Sequence, residues 1–233
     1  MHKTSCDARS KMSLKNLEAL FERAEDGDIA EGLLAYERYH SVLRHFAEWY
    51  YFGIVPTVEA FAALSPNNDY HGNLRSLASV LDGINKQRKA EDIKVSTYNA
   101  CRDRAIQYVT GEVSFLDTVK GLKIRAFRHN LLYPAASREV TVDGHMIAAW
   151  LGRDALTMKQ AQKKFTTAKY REIAKDITAL ARRKSILPHQ MQAVLWITRK
   201  RVLSIKYNAQ YHLEHGPTDL SRILCHPRNY PPF

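Results

Sequence analysis

The sequence predicts an all-α protein, a two-lobed helical bundle. Three observations carry that expectation. Apolar residues recur at three- and four-residue spacing along most of the chain. Glycine (10 of 233 residues) and proline (8) are sparse and fall mainly between the periodic segments. A single segment alternates as a strand does, with Val140 and Val142 inside 138–144, and it is short and isolated.

The elements follow in order. Ser13 is a candidate cap for a helix over 13–25, with Leu14, Leu17, Leu20 and Phe21 on one face. A second helix is expected over 29–52. It carries Leu33, Leu34, Tyr36, Val42, Leu43 and Phe46, and closes in Trp49, Tyr50, Tyr51 and Phe52 before Gly53, read as the stop. Pro56 opens the next helix, through Val58, Phe61, Ala62 and Leu64. Residues 65–69 break it, a helix runs over 70–81, and 83–92 read as a polar loop. Further helices are expected over 97–109, 113–119, 123–132 and 143–151. A longer basic helix spans 158–183, and another runs from Pro188 to about 205. Residues 211–233 read as an irregular tail. No internal repeat and no linker-like composition interrupts the chain. It therefore reads as one domain, 1–233, whose two lobes pack together: lobe one over about 55–140, lobe two over about 12–54 with 143–210.

Charge narrows the function. Lys and Arg number 35 and Asp and Glu 24, a formal net charge of +11. With 45% hydrophobic and 25% charged residues, the composition is globular and excludes disordered and fibrous classes. The excess of positive charge calls for a polyanion. Nucleic acid is the first candidate, an anionic membrane surface the second, and a merely soluble basic protein the remaining alternative. No stretch approaches the roughly 18 apolar residues of a membrane span. Residues 1–16 hold no apolar run of the signal-peptide kind. Cys6, Cys101 and Cys225 are widely spaced, which favours a reducing, cytoplasmic setting and no thiolate metal cluster. His212, His215, Cys225 and His226 gather near the C-terminus in no standard ligand pattern. An ordinary polar tail is preferred there, and no metal is expected.

The chemistry concentrates in 113–145. An apolar helix, Phe115 to Val119, leads into Lys120, Gly121, Leu122 and Lys123, and a second helix starts near Ile124. A helix, a tight glycine turn and a helix point backbone N–H groups outward and make a seat for phosphate. Lys120, Lys123, Arg125 and Arg128 surround that seat and would hold a backbone without reading sequence. An ordinary αα-turn with a solvated rim remains the alternative. Downstream, Asp143 sits at the end of the extended stretch and the start of a helix. It is either a helix N-cap or a catalytic carboxylate held at a helix start.

Together these segments resemble the helix-hairpin-helix superfamily of DNA base-excision glycosylases. The stretch 118–126, T-V-K-G-L-K-I-R-A, is similar to that superfamily's hairpin, and V-D-G-H (142–145) is similar to the short V-D-x-H that follows it. Gly121 falls on the first hairpin glycine, and Lys123 replaces the second. Arg125 falls where bifunctional members place a Schiff-base lysine, 143 − 125 = 18 residues before Asp143. Asp143 falls on the catalytic aspartate and His145 on the histidine after it. The segment A-A-L-S-P-N-N-D (62–69) is similar to the superfamily's loop that pushes a glutamine into the duplex. Asn67 takes that place, with Asn68 beside it. The matches span about 55–150.

The resemblance implies double-stranded DNA as partner, a monomer, no cofactor beyond a monovalent cation at the hairpin, and hydrolytic base excision. It also implies departures. A non-glycine Lys123 would be strained if its position needs positive φ. Arg125 cannot form a Schiff base, because its guanidinium stays protonated. Base release without strand cleavage is therefore expected. Base flipping calls for a lined pocket, with Trp49, Tyr50, Tyr51, Tyr70, Gln192 and Trp196 as candidates beside the alternative of core packing. The basic residues between 159 and 184 would extend the footprint. Two other readings stand beside this one. The first is a non-catalytic DNA-binding protein. The second is a transferase acting on hypermodified bases of phage DNA, with a phage or phage-defence role.

Overall fold

The computed structural model describes residues 13–153 and 165–203. Helix is their regular structure, and no strand occurs among them. The helices are α1 (13–21), α2 (Asp26–Tyr50), α3 (Ile54–Leu64), α4 (Tyr70–Asn85), α5 (Asn99–Thr110), α6 (Phe115–Thr118), α7 (Leu122–Leu132), α8 (Gly144–Trp150), α9 (Thr167–Arg183) and α10 (Pro188–Val202), with a single 3₁₀ turn at Ala90–Asp92. The all-α class expected from the apolar spacing is what the chain adopts.

Several boundaries differ from the sequence expectation, each for a local reason. α1 stops at residue 21, not 25, because Asp28 ties the next turn: the Glu25 amide donates to its Oδ2 at 3.1 Å. α2 ends at Tyr50 rather than Phe52. Tyr51 takes the left-handed conformation (φ 61°) that glycine usually supplies, and Gly53 instead precedes α3 with φ −69°. α4 runs on to Asn85, so the expected loop over 83–92 begins later. Gly83 is tolerated because its missing side chain admits Ile93, whose Cδ1 lies 2.5 Å from where a Cβ would be. α4 is capped by Asp69, whose Oδ1 accepts from the Gly72 amide at 2.7 Å. α10 opens with Pro188, and Gln190 reaches back to the Leu187 amide at 3.0 Å. The stretches 154–164 and 204–233, which include the start of the expected 158–183 helix and the His212, His215, Cys225 and His226 group, lie outside the described residues.

The chain divides into two units. Among the described residues one comprises 13–37 with 133–203, and the other 38–132. The divide falls inside α2 and after α7, not at the expected 54 and 140. In the first unit α8, α9 and α10 pack on one another. Met146, Ile147, Trp150, Ile173, Ile177, Leu180, Met191, Val194 and Leu195 form its core. α2 meets α10 at backbone distance. A Cβ on Gly32 would lie 2.6 Å from the Val194 amide nitrogen and 2.7 Å from its Cα, so only glycine fits. The second unit is built on α3, which packs against α4, α5 and α7. Val58, Phe61 and Leu64 of α3 are buried with Leu74, Leu77, Val80, Leu81, Tyr108, Phe115 and Leu131. The apolar periodicity read from the sequence supplies these faces.

Candidate functional site

The first unit presents Asp143. In the stretch before it, Ser137, Val140, Thr141 and Val142 are buried, while Arg138 and Glu139 are exposed. The stretch pairs with no strand, because side chains take its polar groups. His189 Nδ1 lies 3.0 Å from the Ser137 carbonyl. The Tyr170 hydroxyl donates to the Val140 carbonyl at 2.6 Å and accepts from the Val142 amide at 3.3 Å. The Tyr36 hydroxyl bridges Thr141 Oγ1 (3.1 Å) and Gln192 Oε1 (2.8 Å). Three helices thus clamp an extended segment whose backbone would otherwise be buried unsatisfied. Burial pushes the Tyr170 phenol well above its ordinary range, against the opposing effect of the Val142 amide.

The clamp delivers Asp143 to the start of α8. Its backbone is extended (φ −105°, ψ −176°), and Oδ1 accepts from the Met146 amide at 2.9 Å, so the N-cap geometry is present. Oδ2 accepts from Trp196 Nε1 of α10 at 3.1 Å. The carboxylate is half-buried, and each oxygen holds a further lone pair. His145 lies edge-on to Trp196, with ring centroids 6.2 Å apart. Lys200 Nζ sits 3.9 Å above the Trp196 centroid, covering one face of the indole. Asp143, His145 and Trp196 are therefore brought together. Gln192, one turn before Trp196, is buried and spent on Tyr36.

The turn between α6 and α7 belongs to the second unit. It is shorter than expected: α7 begins at Leu122, so Leu122 and Lys123 lie in the helix, and the turn is Val119 to Gly121. Lys123 has no positive φ, and the strain considered for it does not arise. Gly121 has none either, and a Cβ there would meet nothing within 4 Å. The four cations divide. Arg125 donates through Nε to the Val119 carbonyl at 2.7 Å and through Nη2 to the Leu116 carbonyl, closing α6. Arg128 pairs with Glu59 at 2.6 Å and lies over the Phe115 ring. Lys120 is exposed and Lys123 half-exposed, and neither pairs with another described residue. The first N–H groups of α7 face away from any helical partner.

The remaining candidates separate by burial. Asn67 is exposed in a left-handed conformation (φ 53°). Asn68 turns inward and donates to the Leu64 carbonyl at 3.2 Å. Trp49 and Tyr51 are exposed, whereas Tyr50 is buried in the core. Tyr70 stacks on Tyr39, centroids 4.6 Å apart, with Phe61 edge-on. Burial raises its phenol far above the ordinary range, with Tyr39 adding to the effect. Trp49, Tyr50, Tyr51 and Tyr70 belong to one unit, Gln192 and Trp196 to the other. On α9, Arg171, Lys175 and Arg182 form an exposed stripe at spacings of four and seven, while Arg183 and Lys184 pair with Glu18 and Glu22.

Sequence reasoning missed Tyr36, Tyr170, His189 and Lys200. A tyrosine on a helix's buried face was the available signal, because its hydroxyl needs a partner inside. Among the described residues no group of three or more His, Cys, Asp or Glu is placed to hold a metal ion, and no helix is long and apolar enough to cross a membrane.

These features define an all-α chain that presents a clamped, helix-capping carboxylate and a separate basic turn. Residues 1–202 match a family model described as a family of unknown function (DUF7178), and the chain belongs to that family. No curated protein matches it, and no solved structure does.

Proposed function

We propose that the protein is a monofunctional DNA glycosylase that flips a damaged or modified base out of the duplex and hydrolyses its glycosidic bond with Asp143. The observation that carries this reading is the fixed carboxylate: Asp143 follows an extended stretch, caps α8 and receives Trp196 Nε1. It stands in the sequence context V-D-G-H, downstream of the basic turn, that resembles the glycosylase superfamily.

The chemistry asks for little more. As the C1′–N bond breaks, the electron pair leaves with the base and positive charge develops on the sugar. A carboxylate near C1′ stabilises that charge and orients the attacking water. Lys120, Lys123 and the first amides of α7 hold DNA phosphates. Arg125 and Arg128 shape that turn from within. Asn67, which stands where the resemblance puts the inserted glutamine, is exposed and set in its loop by a left-handed backbone. The stripe Arg171, Lys175 and Arg182 adds contacts to the backbone. With no lysine at position 125, the product is an abasic site and the strand stays intact.

A test is incubation with duplexes carrying uracil, alkylated, oxidised or hypermodified bases, followed by abasic-site detection and mass analysis of released products. Abasic sites that break only on alkali support the reading. A borohydride-trapped protein adduct contradicts its monofunctional part. A second reading, a DNA-binding protein without catalysis, is favoured by one fact: both Asp143 oxygens already accept from protein donors. It predicts salt-dependent binding and no product from any duplex. A transferase acting on hypermodified bases would instead give altered nucleosides without abasic sites.

A further inference from the structure

Trp196 was a candidate for base stacking, and its surroundings argue for another role. One ring face is occupied by Lys200, 3.9 Å from the centroid. His145 stands against its edge. Its single donor, Nε1–H, is spent on Asp143 Oδ2 at 3.1 Å. A stacking platform needs an open face, and this indole has a cation on one of its two.

The geometry points to Trp196 as the positioning residue of the active carboxylate, an inference that rests on the reading of Asp143 as catalytic. Three features converge. The Asp143 carboxylate has one oxygen fixed by its own helix, at the Met146 amide. That bond alone leaves the group free to swing about it. The second bond comes from α10, 53 residues away, and locks the carboxylate plane. Trp196 is itself held: its neighbours Leu195 and Ile197 are in the core, and Lys200, one turn on, pins its face. A cation over an indole also draws electron density from the ring, which makes Nε1–H a stronger donor. The outcome is a carboxylate aimed by two donors on two helices, each oxygen keeping a lone pair for the sugar or the water. Such aiming raises the rate by placing charge where it develops, and leaves substrate binding to the basic surfaces.

The experiment is single-turnover base release by Trp196→Phe, Asp143→Asn and the double variant, with DNA affinity measured in parallel. Trp196→Phe is expected to slow base release roughly ten- to a hundredfold, the range for losing one hydrogen bond to a charged group, with DNA affinity unchanged. In the Asp143→Asn background it should cost nothing further, because it acts through that carboxylate. Equal losses in both backgrounds would mean a structural role and overturn the inference, as would wild-type rates in Trp196→Phe. If the variant does not fold, replacing Trp196 by benzothienylalanine keeps the shape and removes the donor, with the same outcomes deciding. A fully active Asp143→Asn would instead refute the catalytic reading itself, so the two failures are distinct.

Discussion

Asp176 shows how one buried group sets the response to pH. It accepts from Trp150 Nε1 at 2.8 Å inside the first unit. Burial raises its pKa; the Trp150 bond lowers it, Glu172 raises it, and Lys175 and Lys169 lower it, the net shift being upward. A carboxyl whose folded pKa exceeds its unfolded value contributes stability that is full below the unfolded pKa and is lost as pH rises through the folded one. Wild type should therefore lose stability relative to Asp176→Asn as pH rises from about 4, because asparagine keeps the acceptor without the charge. Urea melts of both proteins between pH 3.5 and 7.5 check this, and a gap independent of pH would contradict it. Tyr170 makes a second residue-scale case. Its hydroxyl satisfies Val140 and Val142, so Tyr170→Phe should cost about 1–3 kcal/mol, read by the same melts. Asp143 was legible in the sequence as a helix cap with a chemical alternative. Its partner Trp196 was visible only as a neighbour of Gln192, because a contact across 53 residues leaves no local trace.

Elements were more legible than their ends. Apolar periodicity located the helices because each buries one stripe. It did not predict that Tyr51 would take a left-handed stop, which for a bulky residue costs about 1 kcal/mol. Nor could it show that 138–143 stays unpaired, since its partners sit on α2, α9 and α10. Glycines test the same point. Gly32 lies where α2 meets α10 at backbone distance, so Gly32→Ala should destabilise by roughly 1–3 kcal/mol, toward the upper end because two of the opposing atoms are backbone. Gly121 occupies open space without positive φ, so Gly121→Ala should cost less than about 1 kcal/mol. Thermal unfolding of the two variants compares them directly. A large loss at Gly121 would mean that the turn needs a conformation only glycine adopts.

For the whole molecule, the net charge of +11 raised the question of a polyanion, and the structure distributes it unevenly. Arg125, Arg128, Arg183 and Lys184 are bound internally, while Lys120, Lys123, Arg171, Lys175 and Arg182 stay available. On the proposed reading the second group carries the affinity. The logarithm of the DNA binding constant should fall with log salt at about −0.9 per phosphate neutralised, and Lys123→Ala should reduce that slope by about one. Arg128→Ala should act mainly on stability, since it removes a partner from half-buried Glu59. Binding alone does not distinguish a glycosylase from a passive DNA-binding protein. The direct measurement is base release by wild type and Asp143→Asn on the modified-duplex panel, with DNA affinity followed in the same samples. The account predicts abasic sites from at least one duplex with wild type, and release slowed roughly a hundred- to a thousandfold by Asp143→Asn at unchanged affinity. Equal release by the two proteins, or tight binding with no product from any duplex, would contradict it.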